Sequence, residues 1–126
     1  MQFEGIYTPV VTPYRDDFSI DKAAFEQALE HLISSGVQGI IVAGTTGEYY
    51  AQTAEERVEL MGFAKKIIGK RLPLIVGTGA IRTEDSIFFA EQAKAIGADA
   101  LLIATPPYAC PTAHEIALHA LAIDRA

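Results

Sequence analysis

The sequence has little cysteine and little positive charge, and each shortage excludes a class of protein. Cys110 is its single cysteine, so no disulfide can form within the chain, as is typical of proteins from the reducing cytoplasm. Lysine and arginine number 10 against 16 aspartates and glutamates, a formal net charge of −6. A negative chain without a basic cluster is poorly suited to the phosphate backbone of nucleic acid.

Long apolar runs are also absent. No stretch approaches the roughly 20 residues that a membrane-spanning helix needs, and the N-terminal segment lacks the basic and apolar regions of a secretory signal. Half of the residues are nevertheless hydrophobic and 21% are charged, a composition that can bury a core. We therefore expect a globular cytoplasmic protein that binds neither nucleic acid nor membrane.

Four short apolar runs alternate with four amphipathic segments. Each run is almost continuously apolar, as strands buried on both faces of a parallel sheet are. The runs lie at residues 6–11, 39–43, 72–77 and 100–104. The amphipathic segments are predicted helices. The first begins after the cap Asp21, the second and fourth begin at the capping boxes Thr53 with Glu56 and Thr112 with Glu115, and the third begins at Thr83. On the last helix we expect Leu118, Leu121 and Ala122 to pack inward.

This order predicts an α/β fold with a parallel sheet, either a closed (β/α)8 TIM barrel or an open doubly wound sheet. The turn after the first strand has no glycine, and no complete dinucleotide or P-loop motif occurs, which favours the barrel. A complete barrel needs about 250 residues. We therefore predict that residues 1–126 are its first four βα units: the N-terminal half of a single barrel domain, truncated inside the fourth helix.

Hydroxyl groups concentrate where the predicted strands end, which is where barrel enzymes place their active sites. At residues 44–48 two threonines, Thr45 and Thr46, lie between two glycines. Glycines allow a ligand to approach the backbone closely, and exposed amides can hold a carboxylate or phosphate. A single threonine in a turn usually bonds only to nearby backbone, but the pair in this setting indicates a binding loop.

The loop at 44–48 resembles the signature loop of the dihydrodipicolinate synthase / N-acetylneuraminate lyase family. The resemblance continues in register along the chain, at Thr8-Pro9, Val11-Thr12-Pro13, Gly77-Thr78-Gly79, Pro107-Tyr108 and Pro111-Thr112. It implies a class I aldolase or lyase that condenses or cleaves pyruvate or a related 2-oxo acid, with an aldehyde or sugar acid, through a lysine Schiff base. It also implies a homo-oligomer, a tetramer of tight dimers, with no cofactor and no metal.

The resemblance assigns roles to four residues. Thr46, with Gly47 beside it, binds the carboxylate of the 2-oxo acid through hydroxyl and backbone N–H. Thr45 and Tyr108 are catalytic members of a proton relay, Tyr108 reaching across the tight dimer interface. Threonine and tyrosine suit a relay because their hydroxyls both donate and accept hydrogen bonds.

The lysine required by this chemistry has no match in the chain. None of the five lysines ends a predicted strand, whereas an imine-forming amine must stand inside the barrel with a lowered pKa. We expect the reactive lysine beyond residue 126, so this chain alone should be inactive.

Several positions depart from the family's biosynthetic synthases. Where those enzymes bind the feedback inhibitor lysine, this sequence has Tyr49, Tyr50, Arg57 and Ile81, and Pro107 replaces a tyrosine. These departures predict no regulation by lysine and favour a catabolic sugar-acid aldolase or dehydratase, while the two threonines keep the synthase as a candidate.

Two further hypotheses stay open. A half barrel leaves strand edges and an apolar interior uncovered, which is compatible with a non-catalytic module that self-associates or assembles with a partner. A phosphate-binding α/β domain would use the same two threonines. His114 and His119 lie off the i, i+4 spacing of a helical metal pair, and we interpret both as structural.

Overall fold

The computed structural model describes residues 3–126 and shows four strands, each followed by a helix. The elements are β1 (Tyr7–Pro9), α1 (Lys22–Ser34), β2 (Gly39–Val42), α2 (Ala54–Ile68), β3 (Leu74–Gly77), α3 (Thr83–Ala95), β4 (Ala100–Leu102) and α4 (Ala113–Asp124). Two short 3-10 turns, Thr45–Gly47 and Tyr49–Ala51, lie between β2 and α2. Each strand is shorter than the apolar run that predicted it, because the ladder ends where the chain enters a loop.

The four strands form one parallel sheet in the order β1-β2-β3-β4. The register pairs Thr8 with Ile40, Ile41 with Ile75, and Val76 with Leu101. A doubly wound sheet reverses its strand order at a switch point. An uninterrupted sequential order is instead that of neighbouring strands in a barrel.

The core lies between one face of the sheet and the helices. Alternate side chains of β2 and β3 are buried there, together with one stripe from each of α1 and α2: Ile40, Val42, Leu74, Val76, Phe25, Leu29, Leu60, Met61, Ala64 and Ile68. On the other face, Ile75 in the middle of the sheet is 8% exposed, Ile41 is half-buried and Leu102 is 43% exposed. One face of the sheet is therefore covered by helices and the other is not.

The predicted helix starts are confirmed. Asp21 accepts a hydrogen bond from the Ala24 amide, and both capping boxes are formed. In the second box, hydrogen bonds from the Thr112 backbone and hydroxyl lower the pKa of Glu115. Thr83 is the first residue of α3, as predicted, and its hydroxyl lies 3.0 Å from Nδ1 of His119 in α4.

The prediction for the inner face of α4 is wrong at two positions. Leu118 and Leu121 are 54% and 47% exposed, whereas His119 and Ile123 are buried. Apolar side chains project from nearly all sides of this helix, so its hydrophobic pattern does not predict which face is buried. His119 helps to set which face of α4 is buried, because its ring nitrogens lie 3.0 Å from Thr83 Oγ1 and 3.1 Å from the Ala104 carbonyl oxygen.

Within residues 3–126, no helix combines the length and the apolar composition needed to cross a lipid bilayer.

Candidate active site

The loop after β2 turns sharply through two residues in the left-handed backbone region. Ala43 has a φ of 57° and Glu48 a φ of 55°, a conformation that costs a non-glycine residue about 1 kcal/mol or more. Between them, the 3-10 turn Thr45–Gly47 is closed by a 3.0 Å hydrogen bond from the Glu48 amide to the Thr45 carbonyl. Such a turn persists only where its surroundings hold it.

This turn leaves backbone donors free. The amides of Thr45 and Thr46 have no hydrogen-bond acceptor among the described residues, as expected for the first N–H groups of a helical turn. Both residues are exposed, while Gly47 is buried. The sequence-predicted loop therefore offers a ligand two amides and two hydroxyls. The amide of Gly47 donates to the Gly44 carbonyl at 3.0 Å, and its carbonyl accepts a 2.8 Å hydrogen bond from the buried Thr12 hydroxyl. Gly47 therefore supports the loop and presents no free donor to a ligand.

The ends of β2 and β3 approach so closely that only glycine fits at position 77. A Cβ atom on Gly77 would overlap the Ala43 carbonyl group and lie 3.1 Å from the Gly44 nitrogen. The next residue, Thr78, donates its amide to the Leu102 carbonyl of β4 at 3.0 Å. The three loops that follow β2, β3 and β4 are thereby brought to one edge of the sheet, as the barrel interpretation requires.

Arg57 of α2 ties that helix to the loop after β3. It is 2% exposed, and its guanidinium donates to the carbonyl oxygens of Gly79 (Nη1, 2.7 Å) and Gly77 (Nη2, 2.5 Å). The guanidinium carbon lies 3.9 Å from the centroid of the Phe89 ring and 4.8 Å from that of Tyr49. Burial lowers the pKa of Arg57 to about 10, against a smaller opposing electrostatic effect of Tyr49, so the group stays protonated at neutral pH.

This role of Arg57 was not predicted from the sequence, where Arg57 is named only as a departure at the position where the family's synthases bind lysine. A signal was present, because Arg57 lies at helical spacing with Leu60, Ala64 and Ile68 on the buried stripe of α2. A charged residue in such a stripe needs polar partners. The pattern therefore predicts buried hydrogen-bond acceptors around Arg57, and the structure identifies them as the Gly77 and Gly79 carbonyls.

The structure does not bring Tyr108 and Thr45 together within one chain. No hydrogen bond joins them among the described residues, and Tyr108 is fully exposed in the loop before α4, with a φ of 70°. Its predicted action in a neighbouring copy stays a prediction. The lysines lie on α1, α2 and α3 or, for Lys70, in the connection from α2 to β3. None stands in a loop that follows a strand.

Comparison with known proteins identifies relatives over almost the whole chain. The model of the "Dihydrodipicolinate synthetase family" matches residues 2–126. The 4-hydroxy-tetrahydrodipicolinate synthase of Chelativorans sp. (strain BNC1) is 42% identical over 98% of this chain and 42% of its own length. The enzyme of that name from Kosmotoga olearia is 41% identical, again over 98% of this chain and 42% of the relative. The chain thus spans less than half the length of these relatives.

Solved structures also match this chain over almost its whole length. The 4-hydroxy-tetrahydrodipicolinate synthase of Methylacidiphilum fumariolicum SolV superposes with a TM-score of 0.93 at 34% identity, covering 98% of this chain and 41% of that one. A putative dihydrodipicolinate synthetase from Pseudomonas aeruginosa gives a TM-score of 0.94 at 28% identity, covering 98% and 43%. These matches confirm the predicted fold, four βα units that correspond to the N-terminal part of a (β/α)8 barrel. The chain belongs to the dihydrodipicolinate synthetase family.

Proposed function

We propose that this chain is the N-terminal part of a lyase or aldolase that condenses or cleaves pyruvate or a related 2-oxo acid through a lysine Schiff base. The observation that carries the proposal is the loop at 44–48, which presents two unpaired amides and two exposed threonine hydroxyls at the carboxyl edge of the sheet. Oriented donors of this kind suit a carboxylate. The reactive lysine comes from beyond residue 126, and no cofactor takes part.

The roles in this proposal follow the family resemblance. Thr46 binds the carboxylate through its hydroxyl and backbone N–H, with Gly47 holding the loop from its buried side, and the Thr45 hydroxyl is a member of the proton relay. Tyr108 completes the relay in the site of a neighbouring copy within a tight dimer. The full exposure of Tyr108 supports this, since its side chain has no place in its own chain.

The names of the curated relatives favour a synthase. Relatives at 42% and 41% identity are 4-hydroxy-tetrahydrodipicolinate synthases, whereas the departures at Tyr49, Tyr50, Arg57, Ile81 and Pro107 favour a catabolic sugar-acid enzyme. We propose the synthase reaction, with an aldehyde as the second substrate. The sugar-acid aldolase or dehydratase is the alternative.

Imine trapping tests this function. Residues 1–126 are joined to the C-terminal part of the Chelativorans synthase, and the chimera is treated with pyruvate and borohydride. We expect one reduced pyruvate adduct per chimera, located by peptide mass outside residues 1–126. The 126-residue chain treated in the same way should stay unmodified. An adduct on any of its own lysines would contradict the proposal.

Substitutions in the chimera separate the two threonines. Thr45→Val should lower kcat by about 100-fold or more, since a positioned proton donor contributes that much. Thr46→Val should mainly raise the KM for pyruvate, by about fivefold, the effect of one hydrogen bond. Ser34→Ala, an exposed substitution on α1, is the control in steady-state assays. An unchanged kcat in Thr45→Val would remove Thr45 from the relay.

L-lysine is expected not to inhibit this chimera. A cavity of about 400 Å³ next to the loops is lined by Tyr49, Tyr50, Ile81 and the Arg57 guanidinium, with Asp85 on its wall. The walls at Tyr49, Tyr50 and Ile81 are bulky and largely apolar, which suits the charged groups of lysine poorly. The initial rate should therefore be the same with and without millimolar L-lysine, with the Chelativorans synthase assayed in parallel. Saturable inhibition of the chimera by L-lysine would contradict this prediction.

The non-catalytic alternative has its own supporting observation. β1 and β4 are both edge strands of the described sheet, and Leu102 on the face without helices is 43% exposed. Such edges tend to pair with other strands. If the chain is such a module, the 126-residue chain should form a defined dimer or larger assembly. A measurement of its mass in solution tests this.

A further inference from the structure

The side-chain amide of Gln52 joins three groups behind the candidate substrate loop. Its Nε2 atom lies 3.0 Å from the Gly47 carbonyl oxygen, 3.2 Å from Thr12 Oγ1 and 3.3 Å from the Tyr14 hydroxyl. Thr12 and Tyr14 belong to the loop after β1, and Gly47 to the loop after β2. Gln52 therefore links the two loops at the edge where substrate is proposed to bind.

The chemistry of the acceptors fixes which way this amide faces. A carbonyl oxygen such as that of Gly47 can only accept, so the atom that faces it must be the NH₂ group. The Thr12 hydroxyl donates to the same oxygen at 2.8 Å. Two donors therefore hold one carbonyl group. The Gln52 backbone is itself fixed, because its amide bonds to the Tyr49 carbonyl and the next residue, Thr53, caps α2.

The peptide group held in this way controls the turn. The Gly47 carbonyl and the Glu48 N–H belong to one peptide plane, and that N–H donates to the Thr45 carbonyl at 3.0 Å. The plane is thus held at both ends, which keeps Glu48 in its left-handed conformation. With a donor removed from the carbonyl end, Glu48 would more readily relax to an ordinary φ and the turn would open. The two unpaired amides at Thr45 and Thr46 depend on that turn.

We propose that Gln52 is a positioning residue for the carboxylate of the 2-oxo acid. It acts through Gly47, without touching substrate, and keeps the amides of Thr45 and Thr46 in their binding arrangement. This inference rests on the proposed function. One further observation favours it: Gln52 Oε1 is buried and lacks a hydrogen-bond partner among the described residues. An unpaired buried acceptor is unfavourable for stability, so packing alone does not account for a glutamine at this position.

Gln52→Leu in the chimera tests the proposal. The substitution removes the donor to Gly47 and also the unpaired oxygen, so the urea midpoint should hardly change. The KM for pyruvate should rise about fivefold to tenfold, the effect of losing a hydrogen bond or slightly more, and kcat should change less than about twofold. A merely structural role would instead move the urea midpoint and leave the KM unchanged.

Two companion variants sharpen the result. Tyr14→Phe removes one acceptor of Gln52 and leaves Gly47 held, so the pyruvate KM should stay at its original value. Thr12→Val removes the second donor to Gly47, and combined with Gln52→Leu it should raise the KM by more than the product of the single effects. Gln52→Met, of similar length, replaces the leucine variant if that protein shows no cooperative urea transition.

The outcomes separate the two proposals. An unmutated chimera that folds but forms no pyruvate adduct overturns the proposed function and this inference with it. An active chimera in which Gln52→Leu, or Gln52→Met, leaves the pyruvate KM unchanged overturns this inference alone.

Discussion

Replacement of Arg57 by methionine should lower the free energy of unfolding by about 3 kcal/mol. The substitution leaves the buried carbonyl groups of Gly77 and Gly79 without the donors that they have at 2.5 and 2.7 Å, at about 1–3 kcal/mol each. It also removes the cation from the rings of Tyr49 and Phe89, about 0.5–2 kcal/mol. Relief from burying an unpaired charge offsets part of this loss. The measurement is urea unfolding of the purified chain and of the chimera.

Two matched substitutions identify the cause. Arg57→Lys keeps the charge but cannot span two carbonyl groups as the planar guanidinium does, so its stability should lie between those of the original protein and Arg57→Met. Lys66→Met removes an exposed positive charge from the same helix and should change stability by less than about 0.5 kcal/mol. Equal stability of Arg57→Met and the original protein would mean that the two carbonyls do not depend on Arg57.

Gly77→Ala should destabilise the protein by about 2–3 kcal/mol. The new Cβ atom would collide with the Ala43 carbonyl group, which is backbone and cannot swing away as a flexible side chain could. Overpacking of this kind costs about 1–3 kcal/mol, because the surrounding chain must shift. The shift would begin at the residue before Gly44, where the candidate substrate loop starts. The pyruvate KM of the chimera should therefore rise together with the loss of stability.

Gly62→Ala is the control for this prediction. Gly62 lies within α2 and has no atom within 4 Å of the place where its Cβ would stand. Alanine there should stabilise the helix by about 0.5–1 kcal/mol, through its better propensity and the smaller entropy of the unfolded chain. If Gly77→Ala unfolds at the same urea concentration as the original protein, the close approach of β2 and β3 is wrong.

Much of the candidate site was predictable because its signals are local. The pair Thr45 and Thr46 between glycines, directly after an apolar run, predicts a binding loop from the sequence alone. The structure then places both threonines in an exposed turn with unpaired amides, as that prediction requires. Their roles in binding and proton transfer stay predictions until the chimera is assayed.

Other parts were not predictable from a pattern. The inner face of α4 was assigned to Leu118 and Leu121, but His119 and Ile123 are buried instead. An apolar stripe predicts burial only when the opposite side of the helix is polar. On α4 both sides are apolar, so the hydrophobic pattern does not predict which side is buried. The contacts of His119 with Thr83 and Ala104, 36 and 15 residues away, identify the buried side in the structure.

The sequence by itself determined the order of strands and helices, the capped helix starts and the position of the binding loop. These depend on interactions between residues a few positions apart, which the order of side chains specifies directly. Only the tertiary structure decided what holds the loops in place. Arg57 finds its carbonyl partners 20 and 22 residues away, and Gln52 reaches Thr12 across 40 residues. Such pairs exist only after the parallel sheet has brought the carboxyl ends of its strands to one edge.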